Sequence, residues 1–382
     1  MVQKEAQHLI NIRLAKPYLG NKKNIIALFK ELLSNGFLTQ GKYVAQFEKQ
    51  IADYLGVKHA IAVSSGTAAL HLSLIALGID HGDEVIVPAY SFPATANVVE
   101  LVGAKPVFVD VDLDTYNIDV KKIEEAISCR TRVIIPVHLF GNPADMDLIM
   151  KLAKLNNLAV IEDAAGALGS EYKGKKTGTI GNLGCFSFHP RKIITTGEGG
   201  MVVTNDDNLA EKIRALRNHG MQVTEFKPDF IAAGFNYRMN EIEAVLGISQ
   251  FCEIEKIITE RQKLAELYMD FLKDIPGIVF QKTLPNSTSV WQAFVVHLKN
   301  TNVSNIIDSL KKVGIETNIG TYALHMLKFY SHKYGYKTSD YQNAAELYMK
   351  ALTLPFYNGM TKESIKQVRK KIKAFLNENR AI

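Results

Sequence analysis

Short apolar runs alternate with helix-like segments from about residue 58 onward, and this alternation limits the possible folds more than any other feature. The apolar runs HAIAVSS, EVIVPAYSF, KPVFVDV, RVIIPVHLFG and LAVIEDAA have the composition and length of strands. Helical patterns such as GTAALHLSLIALGI and DMDLIMKLAKLNN come between them. Strands that alternate with helices form a mostly parallel sheet with helices on both faces. The pattern therefore predicts an α/β fold.

A change of texture in the second half of the chain indicates a second, smaller domain. A long helical stretch covers residues 240–274, and beyond it SVWQAFVVHL and IETNIG read as strands on either side of the helix VSNIIDSLKKVG. A final helix follows Thr361, which is placed to cap it. Because 382 residues exceed the ~250–300 at which one core stops growing, two domains are expected. We predict a large domain at 1–250 and a small α+β domain at 251–382.

Composition excludes several classes of protein. The net charge of +6 is spread along the chain without a Lys/Arg-rich block, so no nucleic-acid partner is expected. Three cysteines without C-x-x-C spacing argue against disulfides and zinc, no metal-ligand spacing is present, and a reducing cytoplasm fits best. No run approaches ~18 apolar residues, so no membrane span is predicted.

The first candidate for chemistry is the segment from Ser64 to Leu70, where a strand passes into a helix with the sequence SSGTAAL. Backbone N–H groups at a helix start, with a glycine that allows close approach, can bind a phosphate. An ordinary Ser/Thr cap explains the same residues equally well.

Two further candidates follow in the chain. Asp163 ends the strand LAVIED, at the edge where open α/β sheets bind ligands, and it could pair with a cationic ring nitrogen or cap the next turn. Lys192 precedes the flexible run TTGEGG and is a candidate for a Schiff base, although a lone lysine is usually surface charge.

A phosphate site, a carboxylate and a lysine in this order are what pyridoxal 5'-phosphate (PLP) requires. The phosphate of PLP needs an anion site. The ring nitrogen needs a carboxylate that keeps the nitrogen protonated, and the aldehyde needs an amine. Phe92, at the end of the strand EVIVP, could stack on the ring or be a core aromatic.

At this point the chain closely resembles the DegT/DnrJ/EryC1/StrS family of PLP-dependent sugar aminotransferases, which have the aspartate aminotransferase-like fold (fold type I). The resemblance covers nearly the whole chain. It includes GFLTQGKYVAQFE, VSSGTAAL, DEVIVPAYSFPATAN, VIEDAAGALGSEYKGKKTGTIGNLGCFSFHPRKIITTGEGGMVVTND, FNYRMNEIEAVLG and TLPFYNGMTKESI.

The resemblance implies roles for individual residues. Lys192 carries the cofactor as an internal aldimine and moves the proton, and Asp163 pairs with the ring nitrogen. Phe92 stacks on the ring. The phosphate ligands are Gly66, Thr67 and Ser187, and Asn236 reaches the phosphate of a neighbouring subunit in a homodimer with shared active sites.

One residue departs from the family pattern. After Asp-Ala-Ala the family usually has Gln or His near the ring hydroxyl, and this chain has Gly166. The missing side chain could be replaced by water or by another residue.

We therefore expect a ping-pong transfer of an amino group from an amino acid, by resemblance usually glutamate, to a keto-sugar on a nucleoside diphosphate. Arg238 and His325 are candidates for the substrate carboxylate or diphosphate, with a structural ion pair and a packed imidazole as the alternatives. A PLP-dependent dehydratase of nucleotide sugars and a non-catalytic PLP-binding regulator remain open.

Overall fold

The computed structural model describes residues 11–223, 227–299 and 301–378. Residues 1–10 and 379–382, which the two predicted domains include, lie outside the described residues. The helices are α1 (Lys22–Asn35), α2 (Lys42–Leu55), α3 (Gly66–Ala76), α4 (Ala94–Leu101), α5 (Val120–Ala126), α6 (Met146–Leu155), α7 (Asp207–Leu216), α8 (Glu241–Phe251), α9 (Ile254–Leu272), α10 (Val303–Lys312), α11 (Lys328–Tyr334), α12 (Gln342–Lys350) and α13 (Lys362–Glu378). Short 3₁₀ turns occur at Leu139–Gly141, Leu324–Met326 and Thr338–Tyr341.

The strands are β1 (His59–Val63), β2 (Glu84–Pro88), β3 (Tyr90–Ser91), β4 (Lys105–Val109), β5 (Thr131–Ile134), β6 (Ala159–Asp163), β7 (Glu171–Tyr172), β8 (Lys175–Lys176), β9 (Leu183–Ser187), β10 (Gly200–Thr204), β11 (Met221–Val223), β12 (Pro228–Phe230), β13 (Ile278–Phe280), β14 (Ser287–Thr288), β15 (Phe294–Leu298), β16 (Asn318–Ile319), β17 (Tyr322–Ala323) and β18 (Ala351–Leu354).

The central sheet has the strand order β1-β10-β9-β6-β5-β2-β4. The five strands from β9 to β4 pair in parallel, and β10 is antiparallel to both β9 and β1. Every residue of β2 and β10 is buried, as expected for strands covered on both faces. The predicted α/β fold with a mostly parallel sheet is confirmed.

The direction of the strands places several chain segments at one edge of this sheet. Because β1, β6 and β9 all run the same way, their carboxyl ends meet there. β10 runs the opposite way, so its first residue, Gly200, lies at the same edge and pairs with Ser187 and Val63. Outside this sheet, the short strand β7 pairs antiparallel with β8 and β14, and β3 pairs antiparallel with β17.

A second sheet, of order β13-β15-β18-β16, is built from the C-terminal part of the chain and is antiparallel throughout. Its core includes Tyr268 and Phe294, whose rings stack with centroids 4.8 Å apart. Residues before α1 pack here too, since the N–H of Phe356 donates to the carbonyl of Leu14 at 2.9 Å. In contrast, Tyr330 and Leu347 pack into the core of the large sheet.

The helices confirm some expectations and refine another. Thr361 caps α13 as predicted, because its hydroxyl accepts from the N–H of Ser364 at 3.2 Å. The helical stretch predicted at 240–274 is two helices that separate at Cys252 and Glu253. The division at residue 250 stays a prediction. Among the described helices, none combines the length and the apolar character needed to cross a bilayer.

Candidate active site

A cavity of about 590 Å³ opens where the carboxyl ends of β1, β6 and β9 meet. This volume lies within the range of roughly 300–1,000 Å³ typical of small-molecule sites. Six of the nine residues predicted from the sequence line it: Gly66, Thr67, Phe92, Asp163, Ser187 and Lys192.

The start of α3 forms one wall of the cavity and is shaped to bind an anion. The hydroxyl of Ser65 accepts from the N–H of Ala68 at 3.0 Å, and this cap starts the helix. A Cβ at Gly66 would lie only 2.8 Å from the Cβ of Ser187, so the glycine lets the end of β9 approach the helix. The N–H groups of the first turn have no partner inside a helix and carry the positive end of its dipole.

Asp163 lies at the floor of the cavity and is 5% exposed. Its carboxylate accepts from the hydroxyl of Thr95 at 2.9 Å and from the N–H of Ala165 at 3.2 Å. Burial raises the pKa of Asp163, whereas these donors and the nearby Lys192 act in the opposite direction. A carboxylate removed from water in this way is best stabilised by a cation, such as a protonated ring nitrogen.

Lys192 lies in the loop between β9 and β10, which other parts of the chain hold in place. The amide of Gln250 accepts from the N–H of Thr195 at 2.9 Å and donates to its carbonyl at 2.6 Å. Next to Lys192, Ile193 and Ile194 are buried in the core. Burial lowers the pKa of Lys192, against the attraction of Asp163. A larger fraction of this amine is therefore neutral, the form that attacks an aldehyde or accepts a proton.

Phe92 presents a largely free ring to the cavity, with 62% of the residue exposed. Its ring centroid lies 6.3 Å from that of Tyr322, in an edge arrangement. An aromatic face that protein atoms do not cover can stack on a planar ligand.

The structure does not bring the other three predicted residues to this cavity. Asn236 is exposed on the surface and pairs with Asn218, just beyond the end of α7. Arg238 donates to the side chain of Asn218, which is a structural contact. His325 is fully buried, its ring centroid lies 4.9 Å from that of Tyr341, and burial lowers its pKa. Within one chain, His325 is a packed imidazole, the alternative considered from the sequence.

Thr95 and Gln292 are among the polar residues of the cavity that were not predicted. Thr95 links Asp163 to the hydroxyl of Ser91, which lies 2.9 Å from the Thr95 hydroxyl. The sequence signal that could have identified Thr95 was its position in the first turn of a helix, directly after SFPA. Gln292 comes from the C-terminal part of the chain, and nothing in its local sequence distinguishes it.

These groups fit PLP on structural grounds. The helix start suits its phosphate, the buried Asp163 suits its ring nitrogen and the half-buried Lys192 suits its aldehyde. No cluster of three or more side chains that could ligate a metal occurs in the residues that the structure describes.

Solved structures identify the class of enzyme. PseC of Helicobacter pylori, an aminotransferase involved in the biosynthesis of pseudoaminic acid, superposes with a TM-score of 0.89 at 32% identity, over 94% of this chain and 98% of that one. DesV of S. venezuelae, solved in complex with a ketimine intermediate, superposes with a TM-score of 0.86 at 31% identity, over 96% and 98%. The fold and the cavity thus define a PLP-dependent sugar aminotransferase of fold type I.

The family follows from the sequence comparison. Residues 20–373 match the DegT/DnrJ/EryC1/StrS aminotransferase family, and this chain belongs to it. GDP-perosamine synthase of Caulobacter vibrioides is 40% identical over 366 residues, which cover 94% of this chain and 97% of that protein. The family resemblance inferred from the motifs is confirmed.

Proposed function

We propose that this enzyme moves an amino group from an amino acid, with glutamate as the expected donor, to a keto-sugar carried by a nucleoside diphosphate. The observation that carries the proposal is the presence of Lys192 and Asp163 in one cavity, where each influences the charge of the other. Burial lowers the pKa of the amine and raises the pKa of the carboxyl. The acceptor class is supported by a relative named for a GDP-linked sugar.

PLP, when bound, supplies an aldehyde that reacts with amines and a ring that accepts electrons. Ser187 and the first turn of α3 would bind its phosphate, Asp163 would keep its ring nitrogen protonated and Phe92 would stack on its ring. Lys192 would bond to the aldehyde between turnovers. Once the donor amine displaces it, Lys192 would take the proton from the donor carbon and return it to the cofactor.

The same lysine would serve both half-reactions, so donor and acceptor would enter one cavity in turn. The exposed cations Lys16 and Arg191 both line this cavity. We assign them to the donor carboxylate and the acceptor diphosphate, since both ligands are anionic.

We also propose that the enzyme acts as a homodimer with shared active sites. Asn236 is exposed and lies outside the cavity of its own chain, which is compatible with a role in the cavity of a second copy. The amide of Asn236 would then donate to the phosphate of the partner's cofactor.

Glutamate without any sugar is the direct test. The cofactor-loaded protein is expected to release about one 2-oxoglutarate per active site and then stop until a nucleotide keto-sugar is added, because ping-pong transfer needs both partners. Lys192→Ala should lose both this release and the covalently held cofactor. Lys175→Ala, which changes an exposed lysine, is the matched control and should behave like the wild type.

Two results would contradict this proposal. Loss of a hydroxyl from the nucleotide sugar without gain of an amine would identify a dehydratase. Absence of 2-oxoglutarate or any other keto acid with every amino donor, in protein that binds PLP, would indicate a regulator.

A further inference from the structure

Gln292 is a polar side chain of the cavity that comes from the C-terminal part of the chain and has no role in the proposed function. Gln292 lies just before β15 and lines the cavity with Asp163 and Lys192. A Cβ built on Gly166 would lie 3.2 Å from the Oε1 and 3.5 Å from the Cβ of Gln292. The glycine therefore leaves open a space that the Gln292 side chain occupies.

The backbone around Gln292 is held rigidly. Its N–H donates to the carbonyl of Phe140 at 2.9 Å, and its carbonyl accepts from the guanidinium of Arg261 at 2.7 Å. Arg261 is 6% exposed and also donates to the carbonyl of Trp291 at 2.9 Å. Trp291 has a φ of +51°, a left-handed conformation that side chains rarely adopt. A strained residue fixed by several contacts is typical of a functional site.

The side chain of Gln292 is also directed toward the lysine loop. Its Nε2 donates to the carbonyl of Arg191 at 2.7 Å, and Arg191 directly precedes Lys192. A primary amide has two N–H donors, and this hydrogen bond uses one of them. The amide thus spans the distance between the lysine loop and the space above Gly166.

The chemistry of PLP indicates what the second donor meets. The molecule has four polar groups, and the proposed function assigns its phosphate, ring nitrogen and aldehyde to the start of α3, Asp163 and Lys192. The fourth group is a ring hydroxyl, attached beside the aldehyde carbon on the ring edge away from the phosphate. A buried, partly charged oxygen at that edge needs a hydrogen-bond donor.

We propose that Gln292 donates the second N–H of its Nε2 to this ring oxygen, while its Oε1 lies over Gly166, in the space that a side chain at residue 166 would otherwise fill. The proposal rests on the proposed function, because it requires PLP in the cavity. Under this proposal Gln292 is a cofactor-binding residue, and its hydrogen bond adjusts how tightly the proton between the ring oxygen and the Lys192 nitrogen is held.

The test uses the pH dependence of the visible absorbance of the bound cofactor in the full-length protein. A hydrogen-bond donor withdraws negative charge from the ring oxygen. The proton on the neighbouring Lys192 nitrogen is therefore held less tightly in the wild type than in a protein that lacks the Gln292 side chain. Gln292→Ala is expected to raise the midpoint of this titration by roughly half a unit to one unit. Gln262→Ala should leave the midpoint unchanged, because Gln262 contacts the carbonyl of Ser289 in the same segment but does not line the cavity.

A second variant separates loss of this hydrogen bond from loss of structure. Gly166 is not among the residues with positive φ, so a glutamine is compatible with its backbone once Gln292 is shortened. The double variant Gly166→Gln/Gln292→Ala is expected to move the midpoint back toward the wild-type value. If the midpoint of the double variant stays at the Gln292→Ala value, a glutamine at residue 166 does not replace Gln292. That result would overturn the proposal that the two side chains occupy one space.

The outcomes distinguish the two proposals. An unshifted midpoint in Gln292→Ala, with normal cofactor absorbance and normal release of 2-oxoglutarate, would overturn the role of Gln292 and leave the aminotransferase function standing. Wild-type protein that shows no cofactor absorbance at all would overturn both.

Discussion

Asp163 illustrates how one residue can serve the site at a cost to the stability of the fold. Folding raises its pKa above the ordinary value of 3.8, mainly through burial. The folded, cofactor-free protein therefore binds this proton more tightly than the unfolded chain does. Stability falls as the pH rises from about 3.8 through the folded-state pKa, and at neutral pH the ionised carboxylate remains destabilising.

Asp163→Asn should therefore make the cofactor-free protein more stable at pH 7, by about 0.5–2 kcal/mol. The amide has nearly the same shape, its oxygen can still accept from the N–H of Ala165, and it does not ionise. The measurement is urea unfolding at pH 7 and again below pH 4, where the difference should narrow. The same change should weaken cofactor binding, because the ring nitrogen loses its anionic partner.

Asp147→Asn is the control for this experiment. Asp147 is an exposed carboxylate paired with Lys173 at 2.6 Å, and its loss should cost about 0–1 kcal/mol. An Asp163→Asn protein that is less stable than the wild type without cofactor would refute the assigned effect of burial.

At the scale of the elements, α8 holds α2 and the loop before it through a single carboxylate. Glu241, in the first turn of α8, is 1% exposed and accepts from the N–H groups of Gly41, Tyr43 and Val44, each at 2.9 Å. Its own N–H donates to the carbonyl of Leu38. These contacts fix the segment GFLTQG, residues 36–41, against the rest of the molecule.

Glu241→Gln should cost about 2–3 kcal/mol of stability, because an uncharged amide has one oxygen for three N–H donors, two of them on buried residues. The matched control is Glu243→Gln in the same turn of α8. Glu243 forms a capping box with Asn240, where glutamine is also accepted, so the loss should be below about 0.5 kcal/mol. Chemical unfolding measures both variants. Equal losses in the two would show that the three hydrogen bonds to Glu241 contribute little.

At the scale of the whole molecule, the position of Asn236 makes a prediction about mixed assemblies. If Asn236 acts in a partner's site, equal amounts of Lys192→Ala and Asn236→Asp chains should form hybrid dimers with one intact site each. Half of the dimers would be hybrids, so activity should recover to about a quarter of the wild-type value. Each variant alone should be inactive or nearly so.

Unfolding and refolding the two variants together, followed by the aminotransferase assay, tests this prediction. The control is the same mixture prepared without unfolding, in which chains that do not exchange remain inactive. Failure of the refolded mixture to exceed the sum of the separate variants would argue that Asn236 acts within its own chain or not at all.

The order of the motifs along the chain predicted much of the site because backbone conformation carries most of it. A strand that passes into a glycine-led helix places Gly66 and Thr67 at a helix start that can bind an anion, and a strand-end carboxylate places Asp163 at the sheet edge. The spacing of the apolar residues is a local property of the sequence, and this spacing predicted the mostly parallel sheet. The order of these motifs predicted the cofactor, and family resemblance supplied the role proposed for Lys192.

Only packing between distant parts of the chain decided the rest. Gln292 meets Gly166, and Thr95 meets Asp163, because separate elements bring their side chains within a few ångströms, and no local pattern records such contacts. The same packing buries His325 beside Tyr341 and pairs Arg238 with Asn218, away from the cavity. The sequence by itself therefore determined the class of fold and the chemistry proposed for the cofactor site, through local periodicity and motif order. The tertiary structure decided which polar side chains surround that site. In a closely packed interior, each position near the site is occupied by the side chain that fits the available space.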